Sequence, residues 1–356
     1  MQKIIAIGLM SGTSLDGVDI AACEFFYVKG NWNFNILKAD TIPYTEEWKE
    51  RLGHLHNTGA ATFWKTHVDY GHYLGLQVRD FLDSSEMQAE IICSHGHTIL
   101  HRPDLGYTMQ AGAGEAISAE TGLPVVSDFR VLDVALGGQG APLVPLGDRM
   151  LFNQYGACLN LGGFSNISFE INDHRIAFDI CPCNIVLNRL ANLSGQSHDE
   201  DGLMARQGKI LEDLLEQLNA LEYYELPPPK SLGREWLEEI FWPVLNVRNS
   251  KNSDLLKTSC EHIGFQIGKT LEDHKINTVL ITGGGVHNSY LLETIQKKGS
   301  FEVIVPDSLL VDYKEALIFA FLGVLRWKGF KNVLSSVTGC KTDHSGGAVI
   351  YPFPDH

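Results

Sequence analysis

The chain has 356 residues, enough for two domains or one large one with an ample core. Apolar residues make up 44% and charged residues 20%, the balance of a soluble globular protein, and no apolar run reaches the roughly 18 residues that span a bilayer. A formal charge of −15 argues against a nucleic-acid backbone as partner. Met1-Gln2-Lys3 runs straight into an apolar stretch with no signal-peptide layout, so a cytoplasmic location is expected. The seven cysteines are odd in number and scattered, which suits reduced thiols better than a disulfide framework. Cys181-Pro182-Cys183, the one close pair, is too tightly spaced for the usual structural zinc pair or for an unstrained bridge.

In chain order, residues 4–9, 18–27 and 34–38 read as strands. Helical spacing occupies 45–56 and 60–85, the first opening on Thr45-Glu46-Glu47, which suits an N-terminus. Ile91-Ile92-Cys93 reads as a short buried strand whose end delivers Ser94-His95-Gly96-His97-Thr98. A short helix over 114–121 and a strand at 124–127 follow, the strand ending at Asp128-Phe129-Arg130. The pattern then restarts: a strand at 157–161 runs into Gly162-Gly163-Phe164-Ser165-Asn166, with strands at 167–171 and 176–180 and a helix from Asn184. An acidic stretch, 216–225, ends at the loop Pro227-Pro228-Pro229. Residues 254–274 read as helix, and the buried strand 278–282 leads through Gly283-Gly284-Gly285 to a helix from Asn288. Residues 314–328 form a strongly apolar helix.

The turn after the first strand carries the most chemistry. Gly12, Thr13, Ser14, Leu15, Asp16, Gly17, Val18 and Asp19 place small and hydroxylated residues where backbone amides can approach an anion. Asp16 and Asp19 add oxygens that suit Mg²⁺, directly or through its waters. An ordinary hairpin turn is the alternative reading, since Gly, Ser and Asp are common turn formers. Strand, Gly/Ser/Thr turn, strand, with no helix after the turn, differs from a P-loop or Rossmann fingerprint. It resembles the opening of the actin, Hsp70 and sugar-kinase superfamily. The same unit recurs about 150 residues later at Gly162 and Gly163, which suggests two related lobes. Ligands of open α/β sheets bind beyond the carboxyl ends of strands. The two turns can grip a triphosphate, and Gly283, Gly284 and Gly285 can let an adenine or ribose lie against the backbone.

Longer motifs make the resemblance specific. Gly8 to Asp19, Ser94 to Thr98, Ser127 to Arg130 and the compositionally odd run from Asp133 to Pro145 resemble the anhydro-N-acetylmuramic acid kinases. So do Asn160 to Asn166, Phe178-Asp179, Pro229-Lys230-Ser231 with Gly233-Arg234-Glu235, Gly283–Gly285 with Asn288, Glu315-Ala316-Leu317 and Ser336 to Gly339. The resemblance runs nearly end to end. It implies an α/β, two-lobed actin-like ATPase fold of duplicated ribonuclease-H-like lobes with a central nucleotide cleft. Residues 1–130 with 312–356 would form lobe I, and 131–311 lobe II. It also implies an ATP- and Mg²⁺-dependent kinase that opens a 1,6-anhydro muramic sugar with water and phosphorylates O6. A homodimer is implied as well; a nucleic-acid or membrane partner is not expected.

Site roles follow from the same resemblance. Asp179 matches the family's catalytic aspartate and is expected to be the general base, with helix capping or Mg²⁺ binding as alternatives. Arg130 is a candidate sugar-site cation, or an internal ion-pair partner of Asp128 or Asp133. Glu315 aligns with a glutamate near the sugar, or serves as an N-terminal helix charge. His95 and Thr98 are candidate substrate contacts; His95 and His97 are expected on opposite sides of their segment, against a joint metal site.

The chain departs from the family in places. Asp179-Ile180-Cys181-Pro182-Cys183-Asn184 replaces Asp-Thr-Gly-Pro-Gly-Asn, His97 stands for Gln, and Gln110-Ala111-Gly112-Ala113 lacks the Asp expected there. Losing both glycines restricts that backbone to negative φ. Two other readings remain: a superfamily ATPase whose turnover drives conformational change, as in actin or a chaperone, and a catalytically silent sugar-binding regulator.

Overall fold

The apolar run after Lys3 becomes the first strand of a computed structural model that describes residues 3–12, 15–245 and 250–352. Among the described residues twelve strands form, in chain order: β1 (Ile4–Ser11), β2 (Gly17–Val28), β3 (Asn31–Pro43), β4 (Ile91–Arg102), β5 (Tyr107–Ala111), β6 (Val125–Ser127), β7 (Ala157–Leu161), β8 (Phe164–Ile171), β9 (His174–Pro182), β10 (Thr278–Thr282), β11 (Glu302–Ile304) and β12 (Ala348–Ile350). The chain divides into two compact units, Met1–Phe152 with Tyr313–His356, and Asn153–Asp312. No helix of the described residues is long and apolar enough to cross a membrane.

In the first unit the sheet order is β12-β6-β4-β1-β2-β3, with β5 paired to β4. β1, β2 and β3 are antiparallel neighbours, while β4 and β6 run parallel to β1. In the second unit the order is β11-β10-β7-β8-β9, again with three antiparallel strands and two more parallel to the first of them. Both sheets therefore share one plan: the third, second, first and fourth strands of each unit lie side by side, followed by a further parallel strand, β6 in the first unit and β11 in the second. That is the duplicated ribonuclease-H-like lobe of the actin-like ATPases.

Burial explains the central positions. β1 is apolar on both faces, with Ile7, Leu9 and Ala6 at 1% exposure or less. Helix Ala60–Ser85 covers one face through Tyr70, Leu74, Val78 and Phe81, an apolar stripe at helical spacing. On the other side helix Ser308–Trp327 crosses so near that a Cβ on Gly8 would fall 1.9 Å from the Ala316 carbonyl oxygen. The second unit has its own core, which includes Leu159, Phe169, Leu256, Ile263 and Ile281.

Several expectations shift. The strand read at 91–93 continues to Arg102, so Ser94–Thr98 lies within β4 rather than on a loop after it. An extra residue in β4 relative to β1 between Ser94 and His97, where Gly96 takes φ +72°, and the partner β5, not foreseen, allow this extension through polar residues. β8 begins at Phe164, which leaves Gly162-Gly163 as a tight connection. Asp179 sits inside β9, opposite Asn166, three residues before the strand ends. The first crossing between units falls at 152/153 rather than 130/131. Residues 131–152 stay with the first unit because helix Val144–Leu151 packs on β3 and Phe152 stacks edge-on against Phe34 at 5.4 Å.

Candidate active site

The turn joining β1 to β2 opens at Ser11 and closes at Gly17. Thr13 and Ser14 lie outside the described residues. Gly12 and Leu15 are partly exposed, and Leu15 takes a left-handed φ of +61° while its amide reaches back to the Gly12 carbonyl at 3.5 Å. Gly17 lets two strands touch, since a Cβ there would meet the Ile42 carbonyl oxygen at 2.4 Å. Val18 is core. Asp16 is exposed, and Asp19 is half-buried and accepts from Thr41 Oγ1 at 2.7 Å. Two carboxylates of this kind suit a hard divalent cation that keeps most of its waters.

Beneath the turn, Ser11 Oγ lies 2.6 Å from Tyr44 Oη and 2.9 Å from His97 Nδ1. Tyr44 Oη bonds in turn to Tyr70 Oη. Burial holds His97 down to about 4 and pushes Tyr44 up to about 12, so the whole relay is neutral at pH 7.

His95 points elsewhere, against regular alternation, which puts residues two apart on one face; the extra residue in β4 between Ser94 and His97, with Gly96 at φ +72°, breaks the alternation. Its Nδ1–H donates to the Gly96 carbonyl at 2.8 Å, which leaves Nε2 to accept from Arg130 Nε at 3.0 Å and Nη2 at 2.9 Å. Arg130 Nη1 donates to the Gly140 carbonyl at 2.7 Å. The ion pair with Asp128 or Asp133 is thus not formed; Asp133 instead accepts from the Gly140 amide at 2.7 Å and from Thr338 Oγ1 at 2.7 Å. Burial lowers Arg130 to about 10, opposed by the charge of Glu315, and it stays cationic at neutral pH. Burial and the Arg130 charge keep His95 neutral. Glu315 is solvent-accessible, yet the protein packed around its carboxyl raises it, against the pull of Lys314 and Arg130. Thr98 Oγ1 receives Gln110 Nε2 at a long 3.4 Å.

In the second unit, Asp179 Oδ2 accepts the Leu232 amide at 2.9 Å. Its backbone is clamped on both sides, the amide by the Lys230 carbonyl at 3.2 Å and the carbonyl by Tyr223 Oη at 2.6 Å. Burial raises the carboxyl above its ordinary range, with the Leu232 amide opposing. Cys181 and Cys183 both keep negative φ, so the missing glycines impose no left-handed strain, and both thiols are fully buried.

Two glycine turns meet at the carboxyl ends of β7 and β10, where Asn160 and Thr282 are register partners. Gly283 has φ +87°, and a Cβ on it would fall 2.4 Å from Asn160 Oδ1. A Cβ on Gly285 would collide with Leu161 Cβ at 2.6 Å. The carbonyls of Gly162 and Gly163 accept the amides of Asn184, Cys183 and Ile185 at 2.8–3.2 Å, so they occupy the first turn of helix Asn184–Asn192. Gly163 and Gly284 are open: the first atoms a Cβ would meet are Ile185 Cβ at 4.0 Å and Asn184 Nδ2 at 3.7 Å. These bare backbone faces, with the Asn184 amide beside one of them, form a cradle that a Cβ would partly fill, as close approach of a polyphosphate or ribose requires.

The first unit thus joins Arg130, His95 and, through charge, Glu315; the second joins Gly162–Gly163, Gly283–Gly285 and Asn184. Sequence reasoning missed Tyr44, Tyr70, Tyr223, and the backbone groups of Leu232 and Gly140. The available signals were the segment around Lys230-Ser231, for Leu232, and the run from Asp133 to Pro145, for Gly140; each had a motif but no role.

Residues 4–352 match the family model described as anhydro-N-acetylmuramic acid kinase. A protein of that name from Aliivibrio fischeri is 37% identical, covering 99% of this chain and 100% of its own. Namesakes from Mannheimia succiniciproducens and Pasteurella multocida are 34% and 36% identical, covering 99% and 97% of this chain and 100% and 96% of theirs.

Proposed function

The chain belongs to the anhydro-N-acetylmuramic acid kinase family, and from that premise we propose that it is an ATP-dependent kinase that hydrolytically opens 1,6-anhydro-N-acetylmuramic acid. The products are N-acetylmuramic acid 6-phosphate and ADP, which serves murein recycling in the cytoplasm. The observation that carries this reading is the carboxylate of Asp179 on β9, raised by burial and held by the Leu232 backbone amide. A carboxylate so held has a higher proton affinity than a free one, which favours its acting as the general base.

Asp179 takes a proton from water as the water oxygen bonds to the anomeric carbon. The bond from that carbon to O6 breaks, and O6 attacks the γ-phosphorus of ATP with loss of ADP. Leaving group and nucleophile are one oxygen, so positioning and charge neutralisation dominate the phosphoryl step. Mg²⁺, held by Asp16 and Asp19 directly or through water, supplies that neutralisation when bound. In the first unit the turn from Gly12 to Asp19 is the phosphate-binding element; in the second, Gly162 and Gly163 are its counterpart and Gly283–Gly285 receives the adenosine. The two compact units carry these parts as lobe I and lobe II. Of its five N–H groups Arg130 spends three on His95 and Gly140, keeping one each on Nη1 and Nη2. That pair can fork onto the lactyl carboxylate or a sugar oxygen, with Glu315, His95 and Thr98 lining the sugar side.

The test is incubation of the purified protein with Mg-ATP and the anhydro sugar, following ADP and product mass. Sugar-dependent ADP with a hydrolysed, phosphorylated product is expected. ATP turnover indifferent to sugar, as in an actin- or chaperone-like ATPase, overturns the reading, as does sugar binding without turnover, the behaviour of a silent regulator. A homodimer is the family expectation, and sedimentation velocity tests it.

A further inference from the structure

Away from the residues assigned above, one buried cluster brings together three different donor types. Asp133 is fully buried, Cys340 is 7% exposed and the His344 side chain 8% exposed. A carboxylate oxygen, a thiol sulfur and an imidazole nitrogen all lie within 4.8 Å of one another. Asp133 comes from the short helix Val131–Ala135, the other two from the segment after helix Ser335–Thr338. The surroundings hold them in place. Gln139 N donates to the Thr338 carbonyl at 2.8 Å, Thr338 Oγ1 to Asp133 Oδ1 at 2.7 Å, and Val333 pairs with His344 along the backbone.

The His344 ring is the informative part. Its Nδ1–H donates to the Thr342 carbonyl at 3.2 Å, so in the neutral ring Nε2 carries the lone pair. That Nε2 is buried without a hydrogen bond and stands 3.7 Å from Asp133 Oδ1, beyond hydrogen-bond reach. Cys340 Sγ sits 3.6 Å from Nδ1 of the same ring. Two acceptors, His344 Nε2 and Asp133 Oδ1, therefore face one another, with the Cys340 sulfur beside the imidazole ring. Bond lengths of about 2.0–2.3 Å in a tetrahedral site give ligand-to-ligand edges of about 3.3–3.8 Å. The Nε2 to Oδ1 distance of 3.7 Å falls in that range, and one ligand atom from each of the three residues lies within 4.8 Å of the others.

We propose that Asp133, Cys340 and His344 form a binding site for a divalent transition metal of the zinc type, with water as the fourth ligand. The mixed oxygen, nitrogen and sulfur set selects such an ion over Mg²⁺ or Ca²⁺, which take oxygen ligands throughout. Binding forms the bond from metal to Cys340 sulfur and releases the thiol proton to solvent. The ion would pin the loop from Asp133 to Gly140 against the segment carrying Cys340.

The test uses the full chain, stripped with chelator and titrated with Co²⁺, then competed with Zn²⁺. One equivalent per chain, tetrahedral d–d bands and a thiolate-to-cobalt charge-transfer band are expected, all abolished by Zn²⁺. Cys340→Ala removes the charge-transfer band. His344→Ala weakens binding by at least about 100-fold, beyond the effect of losing an outer-shell partner. A wild-type protein that gives no charge-transfer band overturns the site, and this arm needs no variant to fold. A band that survives Cys340→Ala also overturns it.

Discussion

Asp179 receives a single backbone amide on Oδ2 and is otherwise pressed by burial, so its proton affinity rises. A raised carboxyl keeps its proton to higher pH, and a base made of it is lost as pH falls through that value. The acid limb of kcat/KM is therefore expected at a midpoint above the ordinary carboxylate value of 3.8, measured by steady-state rates against pH. Asp179→Asn should lose turnover by at least about 10²-fold while ATP binding, read by calorimetry, is kept; near-normal activity would remove the base assignment. Arg130 shows the same dependence on neighbours. Neutral His95 takes two of its donors without cancelling its charge, which keeps the cation available for an anion. Arg130→Lys loses the planar fork, and KM for the anhydro sugar should rise roughly 10- to 100-fold, the worth of one or two charged hydrogen bonds. An unchanged KM would place the sugar elsewhere.

The glycines divide by element according to what faces them. Gly8 lets β1 lie directly on helix Ser308–Trp327, and Gly8→Ala should cost about 1–3 kcal/mol through overpacking, read as a lower denaturant midpoint with unchanged slope. Gly163→Ala has open space, so its melting should match the parent while KM for ATP rises; an unchanged KM would detach that turn from the phosphates. Period and punctuation made some elements legible in advance. Helix Ala60–Ser85 carries a long apolar stripe, and β10 is a β-branched run closed by glycines. The β4–β5 hairpin was not legible, because His95 and His97 read as polar until Arg130 and Ser11 are seen to bury them. Asp179 stood out by motif. Its partner Leu232 lies 53 residues away, a tertiary pairing that no local pattern encodes. Thr45 announced its helix by chemistry alone, accepting from the Trp48 amide.

At the scale of the molecule, the second unit is one unbroken segment inserted between two parts of the first. Its sheet and core are drawn entirely from its own residues. Residues 153–312 expressed alone should therefore melt cooperatively by circular dichroism. Residues 1–152 alone should not, since Phe25 loses Phe321 at 5.4 Å, Gly8 loses Ala316 and β6 loses β12. A cooperative melt of 1–152 would show those later residues to be dispensable. The same insertion sets a timetable on the ribosome. At about 5–20 residues per second, the inserted segment alone takes roughly 10–30 s to emerge, longer than a domain of its size needs to fold. The part made in the middle is finished first, while β1, apolar on both faces, waits for a helix not yet translated. Stalled nascent chains cut by protease should show the inserted unit resistant before the N-terminal strands, which makes those strands the stretch a chaperone has most reason to hold.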